Sequence, residues 1–369
     1  MSFSILSRLA IGFAALSMAA CSSIDANATA SPAQTAARQP GKASLQKQEM
    51  DEFANFAQWR EVGEFIDQMV AKHGFDRTEL EATLGKVQLV DRAIQLMKPA
   101  PPGRPKNWQA YRARFIDTVR ISAGAAFWDE HLQALARAEA EYGVPAEIIV
   151  GIIGVETVYG RNTGNFRVMD AVTTLGFAYP DTPNRSARMT YFRGELENTL
   201  LFARESAIDP FTLLGSYAGA IGWPQFMPGS IRRFAVDFDH DGKIDLRNSP
   251  SDAIGSVANF LVQHGWKRDD PTVFPVTVAS DSNKWEALIG QGLEAKFNVD
   301  EMKDAGVAPA TEVPSDMLYG LIDLQNGLEP TEYWLATNNF FAITKYNRSY
   351  FYAMSVIDLG REVRIARSR

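Results

Sequence analysis

Cysteine is almost missing from this 369-residue chain, which contains one. A lone thiol excludes an intramolecular disulfide framework and any zinc site built on two or more thiolates. Histidine is nearly as scarce. The four present, His73, His131, His240 and His264, are far apart and form no H-E-x-x-H or other zinc spacing. Positive charge is in deficit: 37 Lys and Arg against 44 Asp and Glu leave a net charge of −7 and a pI of about 5.3. The basic footprint of a nucleic-acid binder is therefore absent, and no nucleic-acid partner is expected. Gly151, Gly154, Gly219 and Gly222 do not fall into G-x-G-x-x-G spacing and there is no P-loop, so neither nucleotide chemistry nor an organic cofactor is indicated. What is present, 46% hydrophobic, 22% charged and 11% aromatic residues, is ordinary globular composition at a length that allows two or three domains.

The one cysteine, Cys21, follows Arg8 and the apolar run Leu9 to Ala20, which is too short for a comfortable membrane span. A positive start, an apolar stretch and small residues make a secretory signal, and Met18-Ala-Ala-Cys21 resembles a bacterial lipobox. Residues 1–21 are expected to be a lipoprotein signal with Cys21 as the lipid attachment point; the plainer alternative is cleavage after Ala20. Ser22 behind the cysteine resembles an outer-membrane address, with the protein facing the periplasm. Residues 22–50, rich in Ala, Ser, Thr, Gln and Pro, read as a tether.

Folding signals begin near Phe53. Phe56, Trp59, Val62, Phe65, Ile66, Met69 and Val70 recur at three- and four-residue spacing, which predicts an amphipathic helix ending at Gly74. A helical domain over 51–140 follows, including one block from Trp108 to Ala140. The segment Pro145 to Gly160 predicts a core helix of about four turns, with proline first and glycine last, apolar on nearly every side. Gly151 and Gly154 in it would admit a second backbone at close range. A core is expected over 141–267, with helices at Ala187–Arg204 and Ile254–Gly265. Short β-rich runs at Val273–Val278, Ala295–Val299 and Leu318–Leu324 mark a small β-containing subdomain over 268–335, and 336–369 is a helical segment returning to the core. The expected class is mainly α, within α+β.

Three motifs carry chemistry. Glu156 sits in Gly151-Ile-Ile-Gly-Val-Glu-Thr-Val-Tyr-Gly160, where an ionised carboxylate costs several kcal/mol unless paired or protonated. A carboxylic acid held protonated near neutral pH is what a glycosidase needs to protonate a leaving oxygen. Alternatively, Glu156 lies at an exposed helix end or pairs with Arg161. The stretch Ser216-Tyr-Ala-Gly-Ala-Ile-Gly-Trp-Pro-Gln-Phe-Met-Pro-Gly229 suits a groove edge where sugars stack and hydrogen-bond, or a loop packed for its own sake. Ser216 is not a G-x-S-x-G nucleophile, because Leu214 stands two residues before it. Asp237-Phe-Asp-His-Asp-Gly-Lys-Ile-Asp245 places Asp237, Asp239, Asp241 and Asp245 at positions one, three, five and nine of an EF-hand calcium loop. Gly242 falls at six, and the backbone carbonyl of Lys243 at seven. Position twelve is Asn248 where a bidentate glutamate is usual, so Asp252 is expected to close a longer loop around a structural Ca²⁺.

Together these motifs resemble the B-type membrane-bound lytic murein transglycosylases. The likeness runs through Val144-Pro145, the Glu156 helix, Phe192-Arg-Gly-Glu-Leu196, Ser216 to Pro228, the calcium loop, Asp252 to Phe260, and Asn339-Phe to Lys345-Tyr-Asn347. It implies a lysozyme-like core with a groove, a flanking helical domain and a small β domain. It further implies that Glu156 is the sole catalytic acid/base, and that Ser216, Gln225, Asn339, Tyr346 and Arg188 contact glycan. The reaction it implies cleaves the β-1,4 bond between N-acetylmuramic acid and N-acetylglucosamine and leaves a 1,6-anhydro sugar. Peptidoglycan strands are the expected partner of a monomeric enzyme. The rival readings are a hydrolytic muramidase, which would hold a second carboxylate, and a non-catalytic wall-binding lipoprotein, which needs no acid.

Overall fold

A computed structural model describes residues 59–99 and 105–369 of the chain. Cys21, the tether and the start of the first helical stripe at Phe53 and Phe56 lie outside the described residues. The helices are α1 Arg60–His73, α2 Arg77–Leu84, α3 Asp91–Leu96, α4 Trp108–Arg112, α5 Thr118–Glu130, α6 Leu132–Tyr142 and α7 Ala146–Thr157. They continue as α8 Val168–Phe177, α9 Arg185–Glu205, α10 Pro228–Phe234, α11 Pro250–Gln263, α12 Val299–Asp304, α13 Asn338–Thr344 and α14 Tyr350–Arg367. The strands are β1 Phe166–Arg167, β2 Leu214–Gly215, β3 Val273–Val278, β4 Val307–Pro309, β5 Gly320–Asn326 and β6 Glu329–Ala336. The molecule is mainly α, as its composition and periodicity predict.

The first stripe buries Val62, Phe65, Ile66 and Met69 on one face of α1, each contributing about 1.5–3 kcal/mol of transfer free energy as an upper estimate. Gly74 ends the helix in the left-handed region at φ 64°. That face joins the same apolar cluster as α7, and Phe65 meets Phe177 of α8 edge-on at 6.1 Å. The helical block expected over Trp108–Ala140 consists of three helices. Asn107, Asp117 and the bent His131 start α4, α5 and α6, the first two by accepting the N–H of Ala110 and Arg120.

The four-stranded sheet has the order β4-β3-β6-β5 with every neighbour antiparallel. Its own apolar cluster includes Val276, Val299, Met302, Val307, Tyr319, Leu321 and Leu335. The β-rich run expected over Ala295–Val299 is not a strand. Asn298 and Glu301 form a reciprocal capping box, and Val299 opens α12. The longest strand, β6, carries Pro330 and two glutamates and shows little alternation; its place is set by pairing with β3 and β5 on both sides.

α7 is the central helix. Ten of its residues are buried. It differs from expectation at both ends: Pro145 is the cap and not the first helical residue, and the helix stops at Thr157, three residues before Gly160. Val158 and Tyr159 follow in the left-handed region at φ 52° and 55°, an uncommon conformation for such side chains that stores strain beside Glu156. Thr157 holds the end: its Oγ1 donates to the carbonyls of Ile153 and Trp223 and accepts the N–H of Gly160.

α14 lies antiparallel against α7. A side chain at Gly151 would collide with the carbonyl oxygen of Val356, and one at Gly360 with that of Glu147. That register brings the last turn of α7 to the first turn of α14, and so Glu156 to Tyr352.

Candidate active site

Glu156 is the penultimate residue of α7 and lies in the wall of a cavity of about 580 Å³. Burial pushes its carboxyl pKa up to about 7, partly offset by the hydroxyl of Tyr352, which donates to Oε1 at 2.6 Å and favours the charged form. The negative end of the α7 dipole acts in the same direction as burial. Arg161, five residues on, lines the same cavity without pairing to Glu156. Among the described lining residues Glu156 is the only carboxylate. The other charged groups there are Arg114, Arg120 and Arg161. Asp170 is spent on Arg167 at 2.6 Å and on the N–H of Gln88, and Glu195 accepts the N–H of Gly229 at 2.7 Å; neither lines this cavity.

Ser216 also lines it. Its Oγ accepts the N–H groups of Ala218 and Ala220 at 3.3 and 3.0 Å, which leaves the hydroxyl hydrogen to donate into the cavity. The loop closes through left-handed Gly219 and Gly222, at φ 88° and 74°. Gln225 and Tyr346 stand behind this wall and line a second cavity of about 380 Å³. Gln225, itself at φ 51°, donates from Nε2 to the carbonyls of Gly222 and Thr163. Tyr346 donates to the carbonyl of Pro224 at 2.6 Å and stacks on Tyr352, centroids 6.3 Å apart.

Two expected glycan contacts lie elsewhere. Asn339 is fully buried in α13. Its Oδ1 accepts the N–H of Lys267 at 2.7 Å and its Nδ2 donates to the carbonyls of Lys267 and Asp270 at 2.8 Å each, so the side chain clamps the chain ahead of β3. Arg188 is buried on α9 among Tyr179, Tyr191 and Phe192, with Nε donating to Tyr179 Oη at 3.2 Å; it lines neither cavity. Conversely, Tyr352, Tyr111, Arg114 and Arg120 line the first cavity and were not singled out from the sequence. The two arginines had a signal: with Arg112 they crowd an aromatic stretch containing one acid, Asp117, in an otherwise acidic chain. Tyr352 had none, since only the register of two helices remote in sequence pairs it with Glu156.

In the acidic loop, carboxylate oxygens of Asp237, Asp239 and Asp252 converge to within 4.8 Å of one another. Asp252, buried in the first turn of α11, accepts the N–H of Phe238, Asp239 and Asp245 and thereby shapes the loop. Burial raises its pKa, and the charge of Asp239 adds to that. Crowded, hard oxygen donors of one sign suit a divalent cation such as Ca²⁺. Asn248 turns its amide onto Asp245 and offers no carboxylate at position twelve. Asp241 and Asp245 accept backbone N–H groups of Lys243, Arg247 and Asn248, and lie outside the three-carboxylate group.

The family model of the Transglycosylase SLT domain matches residues 55–361. Membrane-bound lytic murein transglycosylase B of Escherichia coli (strain K12) is 42% identical over 321 residues, 85% of each chain. The catenated lytic transglycosylase SltB1 of Pseudomonas aeruginosa superposes with a TM-score of 0.78 at 43% identity, over 85% of this chain and 100% of that one. The Escherichia coli lytic transglycosylase Slt35 in complex with calcium gives 0.75 at 41% identity, over 85% and 96%. SltB3 of Pseudomonas aeruginosa in complex with NAG-NAM-pentapeptide gives 0.70 at 28% identity, over 84% and 80%.

Proposed function

The chain belongs to the SLT-domain lytic transglycosylases, enzymes that cleave peptidoglycan, and from that premise we propose that Glu156 is its single acid/base. The observation that carries this assignment is a lone carboxylate, with its pKa pushed up to about 7, in a cavity lined otherwise by arginines, aromatic rings and hydroxyls. Protonated Glu156 gives its proton to the oxygen linking N-acetylmuramic acid to N-acetylglucosamine, and the C1–O bond breaks through an oxocarbenium-like state. The carboxylate then takes the proton of the muramoyl 6-hydroxyl as that oxygen bonds to C1. The product is a 1,6-anhydro ring, the acid is regenerated, and no water is consumed. Hydrolases instead keep a second carboxylate about 5 to 9.5 Å from the first. The hydroxyl of Tyr352 steadies Glu156 in its ionised interval, and Ser216 offers a donor to the sugar.

Mass spectrometry of digested wall material tests the reading. Anhydro-muramic ends are expected. Reducing ends, heavier by one water, would instead assign a muramidase. Glu156→Gln should lower release about a thousandfold, within the range of a lost general acid; release at the wild-type rate would remove Glu156 from the mechanism.

Asp237, Asp239 and Asp252, with the Lys243 carbonyl, would hold Ca²⁺, which supplies charge balance to the loop and takes no part in the chemistry. A neighbouring structure bound to calcium is consistent with this. Cys21 would carry lipid and hold the enzyme at the outer membrane facing the periplasm, in keeping with a relative named membrane-bound. Among the described residues no helix is long and apolar enough to cross a membrane. Recovery of Cys21→Ala in the membrane fraction would count against the anchor. Muramoyl units of the substrate carry peptides, as does the ligand of the SltB3 neighbour.

A further inference from the structure

The acidic loop leads into Leu246 and Arg247, and these two residues hold several parts of the catalytic wall at once. The carbonyl of Leu246 accepts the N–H of Trp223 at 2.8 Å, and that of Arg247 accepts Trp223 Nε1 at 2.9 Å. Trp223 in turn supplies the carbonyl that takes the hydroxyl of Thr157, the residue after Glu156, at 3.0 Å. The side chain of Arg247 adds separate holds. Its Nη1 donates to the carbonyls of Gly164 and Leu214 at 3.2 and 3.0 Å, and its Nη2 donates to Asn165 Oδ1 at 3.5 Å. Gly164 and Asn165 line the catalytic cavity, as does Ser216, two residues after Leu214. Arg247 itself is not part of that lining.

The two segments that Arg247 joins have little else to fix their spacing. β1 and β2 pair over two residues each, and a strand pair that short is marginal without outside support. Their backbones also meet without a side chain between them, since a Cβ on Gly164 would lie 2.2 Å from the carbonyl oxygen of Gly215. A guanidinium presents its N–H groups in a rigid planar fork, which suits carbonyls on separate segments; the single ammonium of lysine does not. Among the described residues its charge pairs with no carboxylate, so the fork is left to these neutral oxygens. We propose that Arg247 is a positioning residue for the reaction: it sets Ser216 and the Gly164–Asn165 segment at their working distance from Glu156 without touching substrate. The proposal rests on the transglycosylase reading and adds to it a residue that acts from outside the cavity. A wall displaced by about 1 Å is enough to slow a reaction that depends on orientation.

The test is a pair of double-mutant cycles on kcat/KM, run with the full chain in buffer containing Ca²⁺ and with soluble glycan strands as substrate. Arg247→Ala removes the fork but keeps the carbonyl that holds Trp223, so its effect should appear at the Ser216 wall and not at Glu156. Activity should fall about tenfold, the loss expected for charged hydrogen bonds, while the alkaline limb of the pH profile stays near 7. Combined with Ser216→Ala, the loss should be clearly smaller than the product of the two single losses, because both act through one wall. Combined with Tyr352→Phe, the losses should multiply. General loosening of the fold would not couple to one partner and spare the other. Arg247→Lys keeps the charge and the aliphatic stem, so it guards against a variant that fails to fold, and it should show the same selective coupling at smaller size. Wild-type activity in both Arg247 variants, or losses that multiply with Ser216→Ala, would overturn the proposal. A failure of the parent reading is separate, since it would appear in the wild type as reducing ends.

Discussion

Glu156 owes its chemistry to two neighbours that act in opposite senses. Burial favours its protonated form and the Tyr352 hydroxyl favours the ionised one, with burial the larger. Tyr352→Phe removes the second influence, so the pKa moves further up. Because the proposed reaction begins from the protonated acid, the alkaline limb of kcat/KM should shift to higher pH from a starting point near 7. Turnover should fall roughly tenfold, the value of one hydrogen bond lost from the ionised interval. An unmoved pH profile would make Tyr352 a packing residue only. The same shift bears on stability. Between the ordinary carboxyl pKa of 4.5 and about 7 the unfolded chain ionises at Glu156 before the folded one does, so stability contributed by this group falls as pH rises across that window. Glu156→Gln should therefore melt higher than wild type above pH 7 and show no such gain below pH 4.5, a comparison made by calorimetry at both pH values.

The decisive element is the α7/α14 pair. Gly151 and Gly360 let the two backbones approach until either helix presents a carbonyl where the other lacks a side chain. Gly151→Ala places a methyl group against the backbone of Val356, which cannot rotate away as a flexible side chain would. Overpacking of this kind costs about 1–3 kcal/mol and separates the helices, so both melting temperature and activity should drop, the latter through displacement of Tyr352 from Glu156. Gly63 in α1 has open space around it, and Gly63→Ala should leave activity intact, which makes it the control. Much at this scale was legible. The stripes of α1, the cap at Gly74, the strand Val273–Val278 and the need for close approach at Gly151 follow from spacing alone. The break at His131, the helix at Val299 and the strand β6 do not. In each, a cap or a partner strand outweighs intrinsic propensity.

Across the whole molecule the acidic loop ties α11 to the segment that precedes it, with Asp252 accepting three loop N–H groups from a buried position. Three carboxylates held within 4.8 Å repel one another unless a cation lies among them. A ligand bound only by the folded chain stabilises it by mass action, so EGTA should lower the melting temperature and added Ca²⁺ restore it. Asp252→Asn should abolish that response while retaining the N–H contacts of one oxygen. A melting temperature indifferent to EGTA would leave the loop without a metal. The chain's net charge of −7 opposes long-range attraction to an acidic wall polymer. The arginines of the first cavity concentrate positive charge beside Glu156.

The sequence by itself determined the class of fold, the loop aspartates and the place of Glu156 near the end of an apolar helix. These are local signals, carried by residues within a few positions of one another, and periodicity and motif spacing report them directly. Tertiary structure decided which side chains share a cavity. It moved Asn339 and Arg188 into the interior, where hydrogen bonds and ring contacts consume their polar groups, and it brought Tyr352 to Glu156 from 196 residues away. The reason is geometric. A side chain's chemistry is set by its type, but its access to substrate depends on helix register and burial, and those follow from packing between segments that the linear order keeps apart.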